Sequence, residues 1–376
     1  MDSESISENR VPRRHIYEVD IVRFLAAVSV VVFHLSYKAF AVSDDVIHKL
    51  IQTHAYYAPP SIAGLGWIGV QVFFVISGFV IAYSSSAETL DTYLRRRVLR
   101  LVPGVWGIVP ICTVIAIIVF GEAPGSALTQ ALKTLFFVPI EPWIIGQFWT
   151  LPIEIAFYAC VSVLLYLKRP EKLELFGIVL GLYSSAYWFA DCFVHFSSHG
   201  QQFMRLCLLQ HGIFFAMGIT IFKAGASRLS LGRLAFLGVM AVAAFLQISW
   251  SAQWEAATLD PTFRSWTAFL IWGVATCILC FASVRRRDSK TNPHFASLIR
   301  TLGLATYPLY LLHFHVGGAI LILALRLGIS VNISIVFAVV SSIVAAVLVA
   351  QFVEPPIRLF MQQWSALRSP ASTSRT

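Results

Sequence analysis

Charge is what this sequence has least of. Only 12% of its 376 residues are Asp, Glu, Lys or Arg, about half the quarter carried by ordinary soluble domains. Acidic residues are the scarcer kind, 19 against 28 Lys and Arg, for a formal net charge of +9. So thin a charged complement excludes a soluble globular domain. With 57% hydrophobic residues and a mean hydropathy of +0.74, the chain reads as an integral membrane protein. The positive excess does not point to nucleic acid. Its cations fall in short clusters between apolar runs, which is the signature of cytoplasmic membrane loops.

Other features are missing too. The first 18 residues are polar and basic, and no small-residue cleavage site follows the first apolar run; that run reads as a retained anchor, not a signal peptide. Six cysteines are scattered along the chain, and Cys277-x-x-Cys280 has no second pair of ligands nearby, so no metal site is expected. No internal repeat of the transporter kind is visible. No second domain is expected either. Residues 1–18 read as a cytoplasmic N-terminal segment, 19–360 as one transmembrane domain, and 361–376 as a polar cytoplasmic tail expected to be disordered.

Long apolar runs are what the chain has in abundance. A spanning helix needs about 20 mostly apolar residues. Ten runs qualify: 20–41, 62–84, 102–121, 147–167, 174–193, 206–223, 231–250, 265–284, 298–325 and 331–353. The run 131–140 is too short to span and reads as interfacial or re-entrant. Cations alternate in density from loop to loop. One set of segments carries Arg10, Arg13 and Arg14, then Arg95, Arg96, Arg97 and Arg100, then Lys168, Arg169 and Lys172, then Lys223, Arg228 and Arg233, then Arg285, Arg286, Arg287 and Lys290. The opposite set is nearly bare. The expectation is an all-α polytopic membrane protein of about ten transmembrane helices, both termini cytoplasmic.

Within the first run, "DIVRFLAAVSVVVFH" (residues 20–34), Arg23 and His34 are ionisable groups in an expensive place. Eleven residues make three turns plus roughly 20°, so both side chains share one face. They are about 16 Å apart along the axis. Singly, Arg23 reads as a snorkelling cation and His34 as a helix–helix hydrogen bonder. Together they mark a stripe leading from the cytoplasmic mouth to the membrane centre, with an imidazole, the usual general base, at its end.

The same stretch resembles the first motif of the membrane-bound acyltransferase-3 family, an arginine and a histidine separated by ten residues. "GWIGVQVFFVISGFVIAY" (66–83) is similar to the family's second helix. "YLRRRVLRLVP" (93–103) resembles its arginine motif, and "FWTLPIEIAFY" (148–158) the segment with its acidic residue, here Glu154. "LATYPLYLLHFHV" (304–316) and "VEPPIR" (353–358) resemble its closing elements. The motifs occur in order over nearly the whole chain. Gln71 stands where many members have Asp, and Thr306 where Ser is common.

That resemblance implies an enzyme, an acyltransferase of groups other than amino-acyl groups. It would move acetyl from cytoplasmic acetyl-CoA to a hydroxyl of a cell-surface carbohydrate or lipid-linked glycan, such as lipopolysaccharide or exopolysaccharide, in a bacterial cytoplasmic (inner) membrane. No permanently bound cofactor is implied; acyl-CoA is the donor substrate. Arg23, Arg96, Arg97 and Arg100 are candidates for the CoA phosphates, since the planar guanidinium binds two oxygens at once. His34 is the candidate base and Glu154 its orienting carboxylate. Tyr310 and His313, neighbours at i, i+3, are candidates for the acceptor site. Trp67, Trp143, Trp149 and Trp266 fall near the outer interface and read as belt residues; His211 reads as a packed polar residue and His315 as peripheral. Competing readings are a transporter or flippase without chemistry, and an acyltransferase using another donor, such as succinyl-CoA, or a lipid or secondary-metabolite acceptor.

Overall fold

A computed structural model describes residues 16–51, 57–85, 88–194, 201–226, 230–284 and 293–367. The cationic positions Arg10, Arg13, Arg14, Arg228, Arg285, Arg286, Arg287 and Lys290 lie outside the described residues, as do 1–15 and the tail from 368. Among the described residues every regular element is a helix. Nine are long and apolar enough to cross a membrane: α1 Tyr17–Ala41, α2 Ser61–Ser85, α3 Leu90–Ile118, α5 Gly146–Tyr166, α6 Pro170–Val194, α8 Leu231–Glu255, α9 Pro261–Val284, α10 Pro293–Arg326 and α11 Val331–Gln363. An amphipathic helix, α4 Pro124–Leu135, lies between α3 and α5. A shorter apolar helix, α7 Gly212–Ala226, fills the place of the expected span 206–223.

Helix α7 is shorter than expected because the chain turns at Leu208, whose φ of 61° cannot continue a helix. Fifteen residues rise only about 22 Å, short of a hydrocarbon core of about 30 Å. The helix tolerates this because protein surrounds it: Ile213, Phe214, Phe215, Ala216, Ile219 and Ile221 are all buried. It packs along α2 and α6. The contact with α2 is close on both sides. A Cβ at Gly78 would stand 2.1 Å from the Phe215 carbonyl oxygen, and one at Gly218 would stand 2.0 Å from that of Val75.

Burial separates inner from outer helices. Buried residues make up 83% of the apolar window of α2 and 72% of that of α10, against 28–33% for α8, α9 and α11, which therefore form the lipid-facing side. Helix α1 packs between α2 and α10. The approach to α2 needs glycine: a Cβ at Gly66 would stand 2.0 Å from the Ser29 carbonyl oxygen, and one at Gly69 2.3 Å from that of Ala26. Ser29 Oγ donates back to the Gly66 carbonyl at 3.0 Å. From Phe33 to Lys38, α1 widens into a π-helical turn, a feature often found at functional sites, and His34 lies on it.

The run 131–140 is neither a span nor a separate helix. It is the end of α4 and the turn that follows, pinned by Trp143 Nε1 donating to Val138 O at 2.7 Å and Ile144 N donating to Thr134 Oγ1 at 3.2 Å. That turn delivers the chain inward to the one-turn start of α5.

Candidate active site

Two cavities face opposite ends of the bundle. The first, about 440 Å³, opens toward the end that carries the arginine clusters. It is lined by Arg23 of α1, Arg96 and Arg100 of α3, Glu154 of α5, and Glu354 and Arg358 of α11. Arg96 and Arg100 share a face because one helical turn separates them. Arg96 also pairs with Glu88. Arg23 lies 3.7 Å from Asp20 and within electrostatic reach of Arg100 and Glu154.

Arg97 does not join them. It is buried, with its guanidinium carbon 5.4 Å from the ring centroids of both Tyr93 and Tyr158, and it reaches Ser84 Oγ at 3.4 Å. One residue along a helix turns a side chain by about 100°, so Arg97 points into the packing between α3, α5 and the end of α2. Of the four arginines expected to bind the donor, the cavity is lined by Arg23, Arg96 and Arg100.

Glu154 is likewise elsewhere than the sequence implied. It accepts hydrogen bonds from Ser77 Oγ at 3.0 Å and from Tyr158 and faces the arginine cavity. The ring held against His34 is that of His313. The reason is the inward turn before α5. It starts α5 between the two cavities: Gly146, Gln147 and Trp149 line the one at the opposite end, while Thr150, Leu151 and Glu154, further along, line the arginine cavity. The same turn anchors Tyr310, whose hydroxyl donates to Gln147 O at 3.2 Å and accepts from Thr150 Oγ1 at 3.2 Å.

The second cavity, about 980 Å³, opens at the other end. His34 lines it, while His313 is fully buried behind. The pair determines its own tautomers. His313 Nδ1 lies 3.0 Å from Leu309 O, an acceptor only, so Nδ1 carries the proton and Nε2 is a lone pair. That Nε2 is 3.2 Å from His34 Nδ1, which also lies 2.9 Å from Val30 O. His34 Nδ1 must then be the donor, leaving His34 Nε2 as the free base. Val70 and Tyr310 line both cavities, so a single layer of side chains divides them.

Sequence reasoning passed over much of this second cavity. Trp67 and Trp143 are buried cavity walls, not an interfacial belt; Trp149, Trp250 and the largely exposed Trp254 also line the cavity. Of the four tryptophans first placed in the belt, Trp266 alone is largely exposed on the bundle exterior. His211, between the rings of Phe74 and Trp149, and His315, against Phe120, line the cavity too. Arg205 stacks 4.9 Å from the Trp149 ring centroid; its place among the few cations of the sparse loops was the available signal. Among the described residues no group of three His, Cys, Asp or Glu could hold a metal ion.

Chemically, the first cavity suits a polyanion with a carboxylate and tyrosine hydroxyls at its inner end. The second offers aromatic walls and an uncharged base. A family model described as an acyltransferase domain matches residues 16–351. The exopolysaccharide production protein ExoZ of Rhizobium meliloti is 34% identical over 130 residues, 32% of this chain and 39% of that protein. The peptidoglycan O-acetyltransferase OatA of Listeria monocytogenes is 25% identical over 213 residues, 49% of this chain and 30% of its own length. The acyltransferase MdmB of Streptomyces mycarofaciens is 31% identical over 152 residues, 36% of each. The chain thus spans less than two-fifths of the length of these relatives. No solved structure matches it.

Proposed function

The chain belongs to the membrane-bound acyltransferase-3 family, and from that premise we propose that it carries an acetyl group through the membrane, from cytoplasmic acetyl-CoA to a hydroxyl of a cell-surface carbohydrate. The observation that supports this most is the pair of cavities with His34 and His313 at the partition. The arginine cavity lies at the end where the loops are cationic, which is the cytoplasmic end by charge bias. Arg23, Arg96 and Arg100 would hold the CoA phosphates there, with Arg358 beside them. The pantetheine arm is thin and would lead upward past Glu154 toward Tyr310.

The acceptor sugar would enter from the opposite cavity. His34 Nε2 takes the proton of the attacking hydroxyl. The oxygen adds to the thioester carbonyl, the C–S bond breaks, and CoA leaves as thiolate toward the cytoplasm. His313 Nε2 accepts from His34 Nδ1–H throughout, and that hydrogen bond strengthens as the imidazole gains charge. Direct transfer needs no enzyme nucleophile, and no serine or cysteine of this chain sits in a recognisable nucleophile motif. In a bacterium the membrane in question would be the cytoplasmic one.

Inverted vesicles test the reading. Their cytoplasmic face is outward, so added acetyl-CoA should release CoA outside and give acetylated glycan in the lumen. Carbohydrate acetylated only on the donor's side would refute transfer through the membrane. Glycan movement without release of CoA would make the protein a carrier.

A further inference from the structure

His34 serves as a base only while its Nε2 faces the outer cavity, and the turn that carries it is not ordinary α-helix. In the π-helical turn Phe33–Lys38 the His34 carbonyl accepts from Ala39 N, five residues on. Such wide turns are rare in isolation, so contacts from outside have to hold this one. It lies between two tethers. On the cytoplasmic side Ser29 Oγ donates to Gly66 O at 3.0 Å, where α1 closes on α2. On the outer side the Tyr37 hydroxyl shares a hydrogen bond with Thr258 Oγ1, in the turn that joins α8 to α9.

The outer tether reaches the base through rings. Tyr37 is 1% exposed, and its ring stacks on that of Phe33, with 5.8 Å between centroids and 22° between planes. Phe33 in turn meets the His34 ring edge-on at 5.0 Å, and His34 meets the ring of His313 at 5.0 Å. Gly64 of α2 closes another side of Tyr37: a Cβ there would stand 2.8 Å from Tyr37 Cε2 and 2.9 Å from Leu259 Cδ1. Side chains packed this closely transmit a displacement instead of absorbing it.

The turn that grips Tyr37 is itself braced. Arg264, in the first turn of α9, donates from Nη1 to the carbonyls of Ala256, Ala257 and Leu259 at 3.4, 3.2 and 3.4 Å. Asp260 caps the same helix by accepting from Phe263 N at 2.9 Å. Thr258 is therefore presented from a fixed frame. The residues just before it, Ser251, Trp254 and Glu255, line the outer cavity. One stretch of chain both walls that cavity and holds the turn that carries the base.

We propose that Tyr37 is a positioning residue for His34: gripped by Thr258, it keeps the π-helical turn open and Phe33 against the imidazole, so that Nε2 points into the outer cavity while Nδ1–H stays on His313. Tyr37 itself lines neither cavity and acts only through its neighbours. The proposal rests on the reading of His34 as the base and adds what aims it.

Thr258 is exposed, so Thr258→Val cuts the tether from outside the packed interior. CoA release from acetyl-CoA is followed in inverted vesicles, which carry the producing cell's own acceptor. Thr258→Val should lower kcat roughly three- to tenfold, the scale of one lost hydrogen bond, with the KM for acetyl-CoA and the thermal unfolding midpoint unchanged. Thr258→Ser keeps the hydroxyl and should work at the parental rate. Tyr37→Phe should cost as much as Thr258→Val, and the double variant no more than either, because both remove one interaction. A second arm needs no turnover. Nitrogen NMR of histidine-labelled protein in nanodiscs, with His34 assigned from a His34→Gln spectrum, should show the His34 ring moving from the Nδ1–H tautomer toward a mixture in Thr258→Val. Unchanged His34 signals overturn the proposal. So do a kcat within about twofold of the parent, losses that add in the double variant, or Thr258→Ser as slow as Thr258→Val. Should Tyr37→Phe fail to fold, the two Thr258 variants decide alone. His34 signals that respond although the parent never releases CoA would sink the acyl-transfer reading and leave the placement of His34 by Tyr37 standing.

Discussion

Replacing His313 by alanine probes the proposed base without touching it. In the resting site His313 Nε2 accepts from His34 Nδ1–H at 3.2 Å, and Val30 O lies 2.9 Å from the same nitrogen. When His34 takes the acceptor's proton, that hydrogen bond becomes charge-assisted. A neutral hydrogen bond contributes about 0.5–1.5 kcal/mol, one to a charged group about 1.5–3 kcal/mol. The difference, about 1–1.5 kcal/mol, is transition-state stabilisation that alanine removes, and it corresponds to roughly a 5–15-fold loss in kcat. Val30 O remains as a partner, so the loss stays well short of the roughly 10²–10⁴ expected for deleting the base itself. The KM for acetyl-CoA should barely change, because the arginine cavity is on the other side of Tyr310. Glutamine at 313 offers an oxygen acceptor and should recover most of kcat. The assay is CoA release with purified protein in nanodiscs, under saturating donor, for both variants. A His313→Ala enzyme within twofold of the parent refutes the argument that the histidine pair carries charge. An enzyme as inactive as His34→Ala and not rescued by glutamine would place His313 on the reacting atoms themselves.

Four further outcomes are expected. His34→Ala should lower kcat by about 10²–10⁴ with normal insertion and yield; activity within a few-fold would remove His34 from the mechanism. Arg100→Ala should raise the KM for acetyl-CoA by about tenfold or more, the scale of one charge-assisted contact to phosphate, whereas Arg97→Ala should leave KM alone and lower the unfolding midpoint, since it loses two aromatic stacks. Equal KM effects from the two would contradict the placement of Arg97. Glu154→Gln should reduce kcat while leaving acetylation confined to the far side of inverted vesicles; a normal rate would leave Glu154 a purely structural partner of Ser77 and Tyr158. Gly66→Val should unfold or fail to assemble α1 against α2, because its Cβ would stand 2.0 Å from the Ser29 carbonyl oxygen, and such backbone overlap costs at least about 1–3 kcal/mol; normal thermal stability would contradict the close helix approach.

Much of the fold was legible because hydropathy and length are one-dimensional properties. Nine of ten spans needed only a window of about 20 apolar residues, and the Arg23–His34 stripe needed only the helical period. What was illegible depended on depth and facing. The resemblance put Glu154 beside His34, but α5 starts between the two cavities and its residues beyond Trp149, Glu154 among them, turn to the arginine side. Trp67 and Trp143 were assigned to lipid because aromatic residues favour interfaces, yet in α2 almost every position is buried. Lipid tails are as apolar as leucine, so composition alone does not separate a lipid-facing side chain from one facing protein. The second cavity gave no motif at all. Its members come from seven separate segments, and the glutamines and aromatics among them follow no spacing rule.

A through-membrane transferase faces a constraint that an ordinary enzyme does not: its two substrates arrive from opposite aqueous phases, and the meeting point must pass an acyl group but no ions. The partition here has the required form. Val70 and Tyr310 are 8% and 7% exposed, and each lines both cavities. The Tyr310 hydroxyl is engaged on both its donor and acceptor sides by the turn before α5, so the wall is tied to the backbone and not left to rotate freely. Behind it, His313 is fully buried. A charge at this depth costs several kcal/mol, which keeps ions out. The same cost makes a neutral His34 the appropriate base, one that acquires charge only while the hydroxyl is attacking. On this reading the expensive imidazole on α1 is tolerated because its charged state is brief and His313 is already in place to share it.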